Sequence, residues 1–247
     1  MFNMLTNTKI LLIGASGDLG QAMSKRFLAE GAEVIGTSHR HPERLASFTG
    51  ADGGRFQGLQ MDVTKQESID EAFKIIRESG PLHAMVYNVG ITKDNPTLGM
   101  ENEDWESVID TNLNGAFRCT RTFGRLFFRQ RSGRLLFISS VAGMKGGRGQ
   151  ANYAAAKAGL EGFIRSLAAD MAPRGILVNG IAPGPVESLM TKDVMTLVGE
   201  AVLRQMVLKR LARPEEIAAA VAHVLSPDMT YLTGQTISID GGFGIAG

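Results

Sequence analysis

The stretch LLIGASGDLGQAM, residues 11–23, decides the fold of this chain. Its first residues are apolar, as in a buried strand, and Gly14, Gly17 and Gly20 separate that strand from a helical pattern. A turn without side chains lets backbone N–H groups approach a pyrophosphate at the positive N-terminus of the helix. A glycine triplet alone also describes an ordinary tight turn, but a strand before it and a helix after it favour a dinucleotide-binding unit.

The rest of the chain repeats this alternation of short apolar runs and longer helical patterns. Strands that are apolar throughout and separated by helices predict a parallel sheet covered on both faces. We therefore expect one doubly wound (Rossmann) α/β domain over residues 1–247, with a seven-stranded parallel sheet and helices on both faces. The predicted strands are KILLIG (9–14), EVIGTS (33–38), FQGLQMD (56–62), HAMVYNVG (83–90), GRLLFISS (133–140), GILVNGIAP (175–183) and QTISID (235–240).

Longer stretches between these strands carry the helical patterns that would cover the sheet. In the last of them, Pro214 stands in the first turn and is followed by Glu215 and Glu216, residues that favour the N-terminal end of a helix. The helical stretches that follow the first are QESIDEAFKIIRESG (66–80), 103–131, 150–173 and RPEEIAAAVAHVLS (213–226).

Composition and charge argue against several classes of function. The chain has 26 basic and 25 acidic side chains, so its bulk charge offers no surface for nucleic acid or membranes. No apolar run is long enough to span a membrane, and residues 1–9 lack a signal-peptide core, so we expect a cytoplasmic protein. The four histidines lack ligand spacing and predict no metal site, and Cys119 is expected to be a buried structural thiol.

A second stretch, SVAGMKGGRGQANYAAAKAGLEGF (140–163), carries groups suited to chemistry. Tyr153 and Lys157 are four residues apart and would share a helix face, so the ammonium is expected to lower the pKa of the phenol. Such a phenol would act as a proton donor. Ser140 stands at the carboxyl end of a predicted strand and would meet the glycine turn at the carboxyl edge of the sheet. The spacing alone also suits a solvated helix face; the combination favours a catalytic site.

The end of the second predicted strand indicates which dinucleotide binds. An NAD site usually has a carboxylate there, which accepts a hydrogen bond from the ribose 2′-hydroxyl. This chain has Ser38, His39 and Arg40 instead, and an arginine can pair with a 2′-phosphate. We therefore expect NADP(H), with NAD(H) as the alternative. The simpler interpretation is that Arg40 belongs to a solvated loop.

These motifs, in this order, resemble the classical short-chain dehydrogenase/reductase family, and most closely its 3-oxoacyl-[acyl-carrier-protein] reductases. The resemblance covers almost the whole chain and rests on GQANYAAAKAGLEGF, NVGITKDN, IDTNLNGAF, RGILVNGIAPG and YLTGQTISIDGG. It implies hydride transfer from NADPH to a 3-oxoacyl thioester, in fatty-acid or polyketide/polyene synthesis, with Tyr153 giving the proton. A dehydrogenase for a sugar, a steroid or a small alcohol is the alternative, because the fold does not select the substrate. A non-catalytic relative is disfavoured because the catalytic residues are retained.

The resemblance also implies roles for individual residues. It implies a catalytic tetrad of Asn112, Ser140, Tyr153 and Lys157, in which Lys157 also binds the ribose and Asn112 holds a water that relays protons. The implied cofactor-binding residues are Gly14, Ser16, Gly17, Asp18, Leu19, Gly20, Ser38, His39, Arg40, Asp62, Val63, Asn88, Gly90, Tyr153, Lys157, Pro183, Gly184, Val186 and Ser188. Asp18 departs from the family pattern, and its charge would oppose a cofactor phosphate.

Partners follow from the same resemblance. Arg131 and Arg174 match arginines that meet an acidic acyl-carrier protein at the mouth of the site, although ordinary solvated arginines would look the same. Residues 185–213 are expected to form a substrate lid whose apolar side chains suit an acyl chain. Small residues of the 150–173 helix and the 103–131 stretch would form contacts of a homotetramer, unless they pack within one subunit.

Overall fold

The computed structural model of the protein describes residues 3–48, 53–189 and 199–245. Within them, each predicted strand is confirmed, and the strands form one parallel sheet in the order β3-β2-β1-β4-β5-β6-β7. The strand bounds are β1 Lys9–Ile13, β2 Glu33–Ser38, β3 Phe56–Gln60, β4 Ala84–Tyr87, β5 Gly133–Ile138, β6 Ile176–Pro183 and β7 Thr236–Ile239. The order reverses next to β1, and ligands of doubly wound sheets bind at such a point.

Strand β1 shows why both faces of the sheet are covered. Ile10 and Leu12 belong to one hydrophobic core, whereas Leu11 and Ile13 belong to the other, and all four are fully buried. Because side chains alternate along a strand, a fully apolar strand must bury two faces. Helices α1 and α7 cover the first core, and α2, α4 and α6 cover the second. The helix bounds are α1 Asp18–Ala29, α2 Gln66–Glu78, α3 Asn102–Ile109, α4 Gly115–Gln130, α5 Ala142–Lys145, α6 Ala151–Met171 and α7 Pro214–Leu225.

The predicted start of α7 is confirmed. Pro214 is in the first turn, and a Glu216 carboxylate oxygen accepts a hydrogen bond from the Arg213 N–H at 2.8 Å. This bond closes the N-terminal end of the helix, as in a capping box. Short 3₁₀ segments lie at Pro42–Phe48, Thr97–Gly99 and Ala172–Arg174.

The predicted helical stretch 103–131 is confirmed over residues 102–130, but it departs locally from α-helical geometry. A π-helical turn, Asp110–Asn114, separates α3 from α4. The buried Tyr87 hydroxyl donates a hydrogen bond to the Thr111 carbonyl oxygen at 2.6 Å, so this carbonyl has a partner outside the helix. Turns of this kind occur frequently at functional sites. No helix among the described residues is both long and apolar enough to span a membrane.

Candidate active site

A cavity of about 870 Å³ opens along the carboxyl edge of the sheet. Its walls include Gly14 after β1, His39 after β2, Asn88 after β4, Ser140 after β5 and Gly184 after β6. Parallel strands all end on one side of the sheet, so segments distant in sequence converge there. The volume lies in the range of small-molecule sites, and the location is the one that open α/β sheets use for ligands.

Most residues predicted for the site line this cavity. Those that do are Gly14, Ser16, Gly17, Asp18, Leu19, Ser38, His39, Arg40, Asp62, Val63, Asn88, Gly90, Ser140, Tyr153, Lys157, Pro183, Gly184, Val186 and Ser188. Gly20 and Asn112 lie behind its wall, whereas Arg131 and Arg174 lie elsewhere in the chain. Residues 190–198 of the predicted lid lie outside the described residues.

The glycine turn has a shape that fits a pyrophosphate. Gly14 has a φ of +89°, a conformation that side chains disfavour, and a Cβ on Gly20 would lie 2.2 Å from the Gly14 carbonyl oxygen. Helix α1 therefore packs closely on the end of β1. Gly17 is the N-cap of α1 and offers no side chain to the first amide groups of the helix. These N–H groups beside the cavity are suited to bind phosphate oxygens.

Polar groups line the end of the cavity next to β2 and β3. The Ser38 hydroxyl donates to the Ser16 Oγ at 2.7 Å. Burial raises the pKa of Asp62, but hydrogen bonds from the Thr64 hydroxyl and N–H, at 2.7 and 2.9 Å, outweigh this and hold the pKa below its usual value. The other Asp62 oxygen lies 3.5 Å from His39 Nε2. Asp62 is thus an ionised acceptor at neutral pH, suited to a base amino group.

Tyr153, Lys157 and Ser140 come together at the opposite end of the cavity. Lys157 Nζ lies 5.5 Å from the centroid of the Tyr153 ring, because both residues project from one face of α6. The Ser140 hydroxyl, just after β5, accepts from the Ala142 N–H at 3.2 Å and acts on the phenol to lower its pKa. The arrangement places two hydroxyls where a carbonyl oxygen could accept from both.

The expected effect of the lysine on the phenol is wrong in this structure. Burial raises the pKa of Tyr153, and the hydrogen bond with Ser140 only partly offsets that rise. The Lys157 ammonium instead donates to the Ile138 carbonyl oxygen at 2.7 Å, and burial lowers its own pKa to about 8. The phenol is therefore protonated at neutral pH, which is the form that gives a proton.

The partners of Lys157 leave room for a cofactor. Its side chain is only 2% exposed, yet the described residues supply one acceptor, the Ile138 carbonyl, for three ammonium donors. A buried cation with spare donors fits the two hydroxyls of a nicotinamide ribose. Lys157 and the uncapped N–H groups of α1 therefore fit a nicotinamide dinucleotide, the former at a ribose and the latter at the pyrophosphate.

Asn112 lies in the π-helical turn and is fully buried. Its Oδ1 accepts from the Ile91 N–H at 2.9 Å, and its Nδ2 donates to the Ile91 carbonyl oxygen at 3.0 Å. The side chain therefore fixes the segment after β4 next to Lys157. Its role in a water relay stays a prediction.

Arg131 and Arg174 do not stand at the mouth of the cavity, which corrects the expectation for them. They precede β5 and β6, at the amino ends of these strands, whereas Ser140 and Gly184 follow the carboxyl ends. Six residues of β5 place about 20 Å between the two edges. The Arg174 guanidinium lies 4.2 Å from the ring centroid of Phe128, a residue near the C-terminal end of α4.

Arg44 and Phe243 are among the cavity residues that the sequence did not predict. Arg44, on the 3₁₀ segment after β2, pairs with Asp18 at 3.0 Å, and Phe243, near the C-terminus, lines the cavity. The Lys145 ammonium lies 4.9 Å from the Phe243 ring centroid. Neither residue belongs to a motif, so only tertiary contact identifies them. The departure at Asp18 was the one available signal, because a carboxylate in that turn calls for a cation.

The fold, the glycine turn and the tyrosine–lysine pair define a nucleotide-dependent oxidoreductase. A family model described as enoyl-(acyl carrier protein) reductase matches residues 14–244. The chain therefore belongs to the short-chain dehydrogenase family and is an oxidoreductase that uses a nicotinamide cofactor.

Individual proteins similar to this chain include two curated reductases and one solved structure. The chain is 42% identical over 235 residues to the 3-oxoacyl-[acyl-carrier-protein] reductase FabG of Escherichia coli (strain K12), an alignment that covers 94% of this chain and 95% of that protein. It is 38% identical over 243 residues to the 3-oxoacyl-[acyl-carrier-protein] reductase of a Synechocystis species, covering 96% and 97% of the two chains. The crystal structure of gox2181 superposes with a TM-score of 0.94 at 29% identity, covering 99% of this chain and 100% of that one.

Proposed function

We propose that this chain reduces the ketone of 3-oxoacyl thioesters, presented by an acyl-carrier protein, to the 3-hydroxyacyl thioester. NADPH would be the reductant, in fatty-acid or polyketide/polyene synthesis. One observation carries the proposal: Ser140, Tyr153 and Lys157 share one cavity in a chain about 40% identical to proteins named as 3-oxoacyl-carrier-protein reductases.

The residues of the chain supply the proton and hold the substrate. The Tyr153 hydroxyl donates its proton to the ketone oxygen, and the Ser140 hydroxyl donates a second hydrogen bond to the same oxygen. When bound, the nicotinamide cofactor supplies the hydride. Because burial keeps the pKa of Tyr153 raised, the phenol enters the reaction protonated.

Lys157 replaces the proton that the phenol loses. Its pKa of about 8 lets the ammonium exchange protons near neutral pH. It would also bind the ribose hydroxyls through the donors that Ile138 leaves open. Asn112, beside this lysine through its contacts with Ile91, would orient the water that leads protons in from solvent.

Preference for NADP(H) is supported by the charges at the end of β2. His39, Arg40 and Arg44 line the cavity there, and the only carboxylates among the described lining residues at that end are Asp18 and Asp62. Asp18 is paired with Arg44, and the Asp62 carboxylate, which follows β3, lies 3.5 Å from His39 Nε2 and accepts two hydrogen bonds from Thr64. NAD(H) can still bind, since the glycine turn acts on the shared pyrophosphate.

The acyl chain would run along the apolar side of the cavity. Leu189, Val202 and Phe243 line it, and Leu189 exposes 67% of its surface, as expected for a side chain that a ligand covers. We place the substrate lid at residues 185–213. The side chains of Leu189, Val202 and Phe243 offer dispersion contacts and no hydrogen bonds, so they suit a hydrocarbon better than a sugar.

Carrier docking and assembly complete the proposal. Since Arg131 and Arg174 lie at the far edge of the sheet, they can meet a carrier at the mouth of a site only if that site belongs to another subunit. A homotetramer would allow this. Arg131→Glu should then raise the KM for a carrier-bound substrate severalfold and leave the KM for a free thioester unchanged.

The test is a steady-state assay with acetoacetyl thioester and NADPH. We expect NADPH oxidation, and Tyr153→Phe should lower kcat by about 10²- to 10⁴-fold while leaving NADPH affinity unchanged. A 2-enoyl thioester is the matched control, because the family description names enoyl substrates. Reduction of the enoyl and not the 3-oxo compound would refute the proposal, as would turnover of sugars or alcohols alone.

A further inference from the structure

The carboxylate in the glycine turn is used by two partners at once. Asp18 Oδ1 accepts a hydrogen bond from Arg44 Nη2 at 3.0 Å, and Oδ2 accepts from the Leu189 N–H at 2.7 Å. The side chains of Asp18 and Arg44 are 23% and 34% exposed, so the pair is partly shielded from solvent. Asp18 therefore does not present a free negative charge to a cofactor phosphate, which resolves the conflict that its position in the sequence suggested.

Arg44 reaches this carboxylate from an element that follows β2. The 3₁₀ segment Pro42–Phe48 brings its guanidinium to the wall of the cavity that Ser38 and Arg40 also line. The His41 N–H donates to the Ser38 Oγ at 3.2 Å, which folds the chain back at the end of the strand. This is the place where a dinucleotide site meets the 2′ substituent of the adenosine ribose.

The guanidinium has donors to spare. Asp18 accepts from one terminal nitrogen, and the described residues place no other acceptor on the remaining N–H groups. A guanidinium carries five donors in a planar fork that matches two phosphate oxygens. Being held in advance by Asp18, it would lose little side-chain freedom on binding.

We infer that Arg44, held by Asp18, binds the 2′-phosphate of the cofactor and is the main determinant of the preference for a 2′-phosphorylated nucleotide. This rests on the nicotinamide-dependent function proposed above, and it moves the determinant away from Arg40, the residue that follows β2 directly. Arg40 lines the same end but is exposed, and no side-chain hydrogen bond fixes it among the described residues. It would contribute charge without fixed geometry.

Binding of two nucleotides tests the inference without any catalytic step. 2′,5′-ADP and 5′-AMP differ only in the 2′-phosphate, and isothermal titration calorimetry on the full chain gives the ratio of their affinities. Arg44→Gln should lower this ratio about 10- to 100-fold, as for loss of charge-assisted hydrogen bonds. The affinity for 5′-AMP should fall by a smaller factor, because Asp18 then keeps an unpaired charge in the glycine turn. The affinity ratio of Arg44→Lys should lie between those of the wild type and Arg44→Gln, because an ammonium keeps the charge but lacks the planar fork.

Arg148→Gln is the matched control. Arg148 is an exposed arginine that lines the same cavity between α5 and α6, so its removal changes the overall charge equally but leaves the β2 end intact. Its ratio should equal that of the unaltered chain. An unchanged ratio in Arg44→Gln, an equal fall in Arg148→Gln, or a larger fall in Arg40→Gln would overturn the inference. Equal affinity of the wild-type chain for the two nucleotides would also overturn the inference. The proposed reductase function would still stand in that case if the chain reduced a 3-oxoacyl thioester with NADH.

Discussion

Replacing Lys157 with methionine is expected to stabilise the protein at neutral pH while it removes the cation of the active site. The ammonium is 2% exposed and has a single acceptor among the described residues, the Ile138 carbonyl. Burial therefore lowers its pKa from 10.5 to about 8. Methionine has a similar length and packs well in irregular apolar space.

The size of the effect follows from that pKa. A fall of about 2.5 pH units disfavours the charged form by about 3 kcal/mol. Methionine removes this cost but leaves the Ile138 carbonyl oxygen without its donor, at about 1–2 kcal/mol. The free energy of unfolding should therefore rise by about 1–2 kcal/mol at pH 7, which corresponds to about 2–8 °C in Tm for a chain of this size.

The pH dependence distinguishes this cause from general repacking. Because the native pKa is the lower one, the unfolded chain binds more protons between about pH 8 and pH 10.5, so the cost of burying Lys157 disappears as pH rises through that window. The difference between wild type and Lys157→Met, measured by urea unfolding at one protein concentration without cofactor, should shrink from pH 7 to pH 10. A difference that is constant with pH, or a variant less stable than wild type at pH 7, would refute the reasoning.

Three further outcomes are expected. Gly20→Ala should lower Tm by several degrees, because its Cβ would lie 2.2 Å from the Gly14 carbonyl oxygen and overpacking costs about 1–3 kcal/mol. The control is Gly17→Ala, whose Cβ would have no neighbour within 4 Å, and equal Tm values for the two variants would contradict this expectation. Phe243→Ala should raise the KM for long-chain more than for short-chain 3-oxoacyl thioesters in steady-state assays, because the ring lines the apolar side of the cavity; a uniform change across chain lengths would exclude that contact. Cys119 should resist alkylation by iodoacetamide until the protein unfolds, because the thiol is fully buried and burial raises its pKa; modification of the native chain, followed by mass spectrometry, would disprove this.

Periodicity and turn chemistry were sufficient to predict the sheet and most of its helices. After Lys9, β1 is apolar at every position because it separates two cores, and that pattern is visible in the letters KILLI. The π-helical turn at Asp110–Asn114 was not predictable, because it depends on the Tyr87 hydroxyl taking the Thr111 carbonyl from another element. No local preference of the residues 110–114 encodes that bond.

Tyr153 and Lys157 were correctly predicted to lie side by side because helix geometry is local. Tyr153 and Lys157 share a face of α6 whatever surrounds them, so their spacing was enough. The direction of the Tyr153 pKa was not predictable, since it depends on how deeply the site is buried and on where the ammonium points. The spacing along the helix correctly identified Tyr153 and Lys157 as neighbours, but it did not predict the direction in which the pKa of Tyr153 shifts.

The sequence by itself determined the class of fold, the glycine turn and the pair of residues on α6, because each is encoded by neighbours a few positions apart. Only the tertiary structure decided which cations reach the cavity. It joined Arg44 to Asp18 across 26 positions of chain. The reason is that a parallel sheet brings segments that are distant in sequence together at one edge. The contacts made there depend on the fold and are not encoded by neighbouring residues.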